Sequence, residues 1–208
     1  MPDNKATGSG RVSDKFVKLF INVLLPLLMT IFNKSIETSV FAIACKISKV
    51  TPLWKSGLRS NPQNYRPISV VPFLSKVLEK HVFESLYTFL IENHLLSEKQ
   101  FGFERHHSIN DALLSLKKTV ITSLNINNKC IVVKLDLRKA FDLVSHELLL
   151  RKLNSIGCSD RTLNWFKSYL KNRKQFVRTQ STVSDIRDVG SVSVPQGSVG
   201  GPTLHIFC

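Results

Sequence analysis

Three residues with chemical potential lie within one short stretch, IVVKLDLRKAFDLVSHELLL, between Ile131 and Leu150: Asp136, Phe141 and Asp142. Ahead of them, Ile131, Val133, Leu135 and Leu137 alternate with Cys130, Val132, Lys134 and Asp136. That period of two predicts a strand, apolar enough on both faces to be central and covered on each side. An ionised Asp136 at its end must be hydrated, paired with a cation or bound to a metal. A strand-end Asp also serves as the cap of the following turn. Ser145 then opens a helix through Leu148, Leu149, Leu153 and Ile156 that stops at Gly157.

Other groups suited to binding anions or bases are spread along the chain. Lys55-Ser56-Gly57 precedes Asn64-Tyr65-Arg66-Pro67-Ile68-Ser69, with Lys76 a few residues on. The guanidinium of Arg66 is a permanently charged fork suited to phosphate oxygens. Lys171, Arg173, Lys174 and Arg178 form a run with no acid between Arg161 and Gln180. It reads as a solvated face or as a strip for a nucleic-acid backbone, with Trp165 and Phe176 available for stacking. Near the end stands Val194-Pro195-Gln196-Gly197-Ser198, where Gly197 allows close backbone approach because it has no Cβ. Adjacent His106 and His107 would point in different directions from a helix entry, so they predict no metal site.

Taken together, these strings resemble the reverse transcriptases of non-LTR (LINE-type) retrotransposons. Lys139-Ala140-Phe141-Asp142 with Val144-Ser145-His146-Glu147 is similar to the family's first catalytic motif. Asn-Tyr-Arg-Pro-Ile-Ser resembles its fingers string, QFGFERHHS (100–108) its Q-x-G-F-R-x-x-x-S segment, and Val-Pro-Gln-Gly-Ser its pocket helix. In QFGFERHHS, Arg105 arrives one residue late, and Ser193 stands where the family has Gly. The resemblance implies RNA-directed DNA polymerisation, with an RNA template, a DNA primer and deoxynucleoside triphosphates as partners and Mg²⁺ as cofactor. It implies Asp136 as catalytic residue and metal ligand, and Phe141 as the gate against a ribose 2′-hydroxyl. Gln196 would touch the nascent base pair, while Arg66 and Lys76 would face the triphosphate or template. Two-metal phosphoryl transfer needs converging carboxylates and little covalent chemistry from the protein. The family supplies the second set on an aromatic-Ala-Asp-Asp hairpin. No Asp-Asp pair occurs among these residues. The expectation is thus a chain inactive alone, or a non-catalytic basic remnant that binds nucleic acid through Lys171, Arg173, Lys174 and Arg178.

The elements that must position these groups give an α+β fold: helix-rich fingers and a partial palm with a small, incomplete antiparallel sheet. The expected parts are a mobile lead-in over 1–14, a helical segment over 15–40, fingers over 41–125 and partial palm over 126–208. The apolar run from Leu19 to Ile31 is too short for a span and holds Pro26, which predicts a buried helix kinked or broken there. Residues 41–58 read as loop. A helix to about Glu92 carries Leu74, Val77, Leu78, Val82, Leu86 and Leu90 on one face. Ser108 and Asp111 form a capping box for the next helix, and Asp160 caps another.

Composition agrees with a nucleic-acid partner. The 208 residues carry a formal charge of +14 and 43% apolar residues, enough for a packed core. Four scattered cysteines, with no CxxC pair, predict neither zinc nor a disulfide scaffold. With no signal peptide expected, the reading is cytoplasmic or nuclear and not membrane-bound.

Overall fold

A computed structural model describes residues 14–137 and 140–205 of the chain. Most of the expected lead-in lies outside them. The chain divides into two compact units: residues 1–85 with 140–208, and residues 86–139.

The first unit holds a mixed sheet. Its strands are β1 (Ile47–Trp54), β2 (Tyr65–Val70), β3 (Lys174–Val177) and β4 (Arg187–Asp188), in the order β2-β1-β3-β4. β1 runs antiparallel to β2, from Lys49↔Val70 to Trp54↔Tyr65, and parallel to β3, from Ile47↔Lys174 to Val50↔Val177. The sheet is therefore mixed rather than antiparallel throughout. Residues 41–58 are also more than loop, since β1 lies centrally in the sheet. Thr51-Pro52 and the Lys residues had masked it, because a Pro reads as a breaker. β1 admits Pro52 because β3 pairs only its first half.

Helices α1 (Asp14–Leu19) and α2 (Ile21–Thr38) precede the sheet. The expected break at Pro26 is absent. α2 runs through Pro26, and the interruption falls at Phe20. Nor is the segment buried, since Leu19 and Val23 are 78% and 77% exposed. Its anchored end is C-terminal. There Trp165 Nε1 donates to Ser35 Oγ at 3.2 Å, and Phe41 N donates to Ser168 Oγ at 2.9 Å.

The core centres on α6 (Asp160–Leu170), whose Trp165, Phe166, Tyr169 and Leu170 are all buried. Its cap is Ser159, which accepts from Thr162 N; Asp160 is the first helical residue. Phe41 meets Trp165 and Tyr169 edge-on at 5.4 and 5.1 Å, and Phe83 meets Phe166 and Tyr169 at 5.5 and 5.8 Å. Such edge contacts add about 0.5–1.5 kcal/mol each beyond area burial. Phe83 comes from α3 (Phe73–Glu92), which starts in this unit. α5 (His146–Ser155) buries Leu149 and Leu153, and α7 (Gly200–His205) follows the Pro-Gln-Gly string. Both Trp165 and Phe166 are spent on the core, so Trp165 is not available to stack on a base.

The second unit takes the end of α3 and then α4 (Ile109–Asn125). The Ser108/Asp111 capping box forms as expected, with Ser108 N donating to Asp111 Oδ2 at 2.7 Å. Those bonds hold the Asp111 carboxyl below its ordinary range. Arg105 lies over the Tyr87 ring at 4.7 Å. Residues 130–137 are not in a strand, and Ile131 and Leu135 are 87% and 88% exposed. Alternation assigns the faces of a segment, but a strand also needs a partner ladder, and no described residue of this unit belongs to one.

Candidate nucleotide-contacting site

The site is assembled along the outer edge of β2, within the first unit. Ser69 pairs across from Val50, and its N–H points away from β1 to donate to the Gln196 carbonyl at 2.7 Å. Pro67, two residues earlier, shares that outward parity, so its missing N–H costs the sheet nothing. The Pro-Gln-Gly turn thereby covers an exposed sheet edge. Gly197 has φ 106°, and a Cβ there would stand 2.7 Å from the Ser69 carbonyl oxygen. Only glycine fits.

A second segment docks against the same turn from the other side. Val194 N donates to the Phe141 carbonyl and Ser193 N to that of Val144, both at 2.9 Å. Ser145 bridges Val192, and His146 Nε2 lies 2.7 Å from the Ser193 carbonyl. Because a carbonyl only accepts, that ring nitrogen carries the proton. The residues from Phe141 to His146 are thus laced to Ser191–Val194. Phe141 is half-buried, and a Cβ on Gly201 would lie 3.8 Å from its Cε1.

A third contact fixes the turn from beneath. Glu79, fully buried on α3, accepts from Ser75 Oγ at 2.7 Å and from Val199 N at 3.0 Å. Burial pushes its pKa up, while Arg173, Ser75 and the Val199 and Gly200 amides pull it down. Arg173 is only 1% exposed, stacked over the Tyr169 ring at 4.8 Å, and its Nη1 donates to the Tyr169 carbonyl at 3.1 Å. Burial, and then the Glu79 charge, push the Tyr169 hydroxyl well above its ordinary range.

These segments enclose a cavity of about 340 Å³, within the usual range for small-ligand sites. Gln196, Pro195, Ser69, Pro67, Asp142 and Arg173 are among its walls. The expected residues divide accordingly. Gln196, half-buried, lines the cavity, with Gly197 next to it and Phe141 tied in through the main chain. Arg66 is exposed on β2 and absent from the lining, while Lys76 is buried in α3 at 8% exposure. Asp136 is exposed on the unpaired segment of the second unit. Lys171, Lys174 and Arg178 are exposed, with Lys174 3.8 Å from Asp188. Arg173 does not belong to that surface strip: at the entry to β3 its side chain turns inward over Tyr169 and is only 1% exposed.

Sequence reasoning missed Glu79 and His146. Glu79 had a visible signal, a carboxylate one turn after Ser75 and beside Leu78 on the apolar face of α3. His146 had none, because its acceptor lies 47 residues away.

Comparison with known proteins gives the family. Residues 53–208 match the family described as Reverse transcriptase (RNA-dependent DNA polymerase). The chain is 30% identical over 206 residues to the probable RNA-directed DNA polymerase from transposon BS of Drosophila melanogaster. It is 29% identical over 206 residues to the RNA-directed DNA polymerase from mobile element jockey of the same species. Each match covers 99% of this chain and 22% of the relative, so the chain spans about a fifth of those proteins. A shorter match, 32% over 133 residues, covers 62% of the chain and 18% of the Pol polyprotein from the type-1 retrotransposable element R2 of Popillia japonica. With a family match across most of its length and these relatives, the chain belongs to the reverse transcriptase family, in the group found in non-LTR retrotransposons.

Proposed function

We propose that this chain supplies the nucleotide-contacting part of an RNA-directed DNA polymerase, acting on an RNA template, a DNA primer and deoxynucleoside triphosphates. The observation that carries the reading is the convergence of three distant strings on one cavity. The Ser69–Gln196 and Phe141–Val194 bonds bring the fingers string, the first motif and the Pro-Gln-Gly turn together. Gln196 reads the sugar or base of the nucleotide, and Phe141, tied to the turn by its main-chain bond to Val194, serves as the sugar gate. Gly197 lets the turn seat on β2. Exposed Arg66 contacts template or triphosphate outside the cavity.

Family membership implies a divalent cation, with Mg²⁺ as the proposed ion and Asp136 as its assigned carboxylate. Mg²⁺ demands converging oxygen ligands, and among the described residues no three His, Cys, Asp or Glu side chains converge. The described residues do not by themselves fit a metal pair. That donor set favours a second reading for the 208 residues in isolation, binding of nucleic acid without chemistry. Among the described residues no helix is long and apolar enough to cross a membrane.

The test is equilibrium binding of a labelled deoxynucleoside triphosphate to the 208-residue chain. Gln196→Ala is expected to weaken it about tenfold, the value of one lost polar contact at a desolvated site. Unchanged affinity in a folded Gln196→Ala chain would overturn the assignment.

A further inference from the structure

Arg173 is a buried guanidinium with unfinished bonding. Of its side-chain nitrogens, Nη1 donates to the Tyr169 carbonyl, while Nε and Nη2 are buried without a partner. The carboxylate in its neighbourhood, Glu79, has its oxygens engaged by Ser75 Oγ and Val199 N. A guanidinium cannot shed its proton to escape this position, so its two idle nitrogens need an acceptor for their N–H groups. Arg173 also forms part of the wall of the cavity that Gln196 lines. Close by, Lys46 is 6% exposed, and burial followed by the Arg173 charge holds its pKa below the usual lysine range. The buried region behind the cavity thus holds two basic side chains, Lys46 and Arg173, against Glu79.

We infer that Arg173 is the oxyanion receptor of this cavity, its Nε and Nη2 gripping a phosphate oxygen of a bound nucleotide or of a nucleic-acid strand. The inference rests on the reading of this cavity as a nucleotide site. A fork of two N–H groups matches a phosphate edge, and around a side chain only 1% exposed the low local dielectric strengthens each such bond. The other charged groups of the wall are Asp142 and Asp188. Asp188 is partly offset by Lys174 at 3.8 Å. Asp142 opposes an entering anion, and its removal therefore favours one.

The experiment is calorimetric titration of the 208-residue chain with inorganic pyrophosphate, with a deoxynucleoside triphosphate and with a short single-stranded oligonucleotide, all in chelator. Arg173→Lys keeps a charge and loses the fork. It is expected to weaken pyrophosphate at least tenfold, while Asp142→Asn tightens it. Gln196→Ala should weaken the triphosphate far more than pyrophosphate, and Arg173→Lys should weaken both, so the two assignments fail separately. Pyrophosphate competing with the triphosphate identifies a free nucleotide as the source of the oxyanion; competing with the oligonucleotide identifies a strand phosphate. Should Arg173→Lys unfold, the Arg173 Nε–H resonance of the unaltered chain is followed instead, and it should shift as pyrophosphate is added. No pyrophosphate binding, a folded Arg173→Lys chain that binds it normally, or an Nε–H resonance that does not move would overturn the proposal.

Discussion

Removing the Glu79 carboxylate tests how the Pro-Gln-Gly turn is held. Glu79→Ala leaves the Ser75 hydroxyl and the Val199 amide without their acceptor, and it leaves the Arg173 charge without a compensating carboxylate. Breaking a buried charge arrangement by deleting one member costs about 3–5 kcal/mol. Glu79→Gln keeps an acceptor but loses the charge, for about 1–3 kcal/mol. The assay is urea denaturation followed by circular dichroism, repeated between pH 4 and 8. Burial raises the folded pKa above the ordinary 4.5, so between those two values the folded chain binds more protons than the unfolded one. Stability from this group is full below pH 4.5 and is lost as pH rises through the folded pKa. The difference between the unaltered chain and Glu79→Gln should therefore fall across that window and then level off. A difference that rises with pH, or a Glu79→Ala loss under about 1 kcal/mol, would refute the reasoning.

Three other substitution sets follow from the same geometry. Gly197→Ala should cost about 1–3 kcal/mol by urea denaturation, because it forces a side chain to φ 106° against the Ser69 carbonyl; an unchanged midpoint would mean the turn does not seat on β2. Binding of an RNA–DNA duplex, measured by fluorescence polarisation against salt, should be steeply salt-dependent. Neutralising Lys171, Lys174 and Arg178 together should reduce the log–log slope by about 2–3, and an unaltered slope would place the nucleic acid elsewhere. The 208-residue chain should not extend a primer on an RNA template with magnesium or manganese; extension that disappears in Asp136→Ala would show that its donor set suffices after all.

What could be read in advance was whatever depends on near neighbours. The Ser108/Asp111 box and the Ser145 start of α5 are signalled within four residues, and both are present. The α+β class and the family followed from strings whose wording is local. Partnership across the chain was not legible. Ile131–Leu137 alternates like a strand, yet it has no ladder; β1 contains Pro52, yet it lies inside the sheet. The basic run from Lys171 to Arg178 looks uniform, but the face opposite Tyr169 selects Arg173 alone for burial. A charge pattern gives the number of cations and says little about which one the core takes.

The proposed nucleotide-contacting cavity joins the fingers string, the first motif and the Pro-Gln-Gly turn in the first unit. Its most direct test is an amide ¹⁵N titration of the 208-residue chain with a deoxynucleoside triphosphate. Saturable shifts should appear together at Ser69, Asp142 and Gln196, with a common dissociation constant. Shifts confined to the exposed lysines, or Ser69 and Gln196 remaining unmoved at saturation, would contradict it.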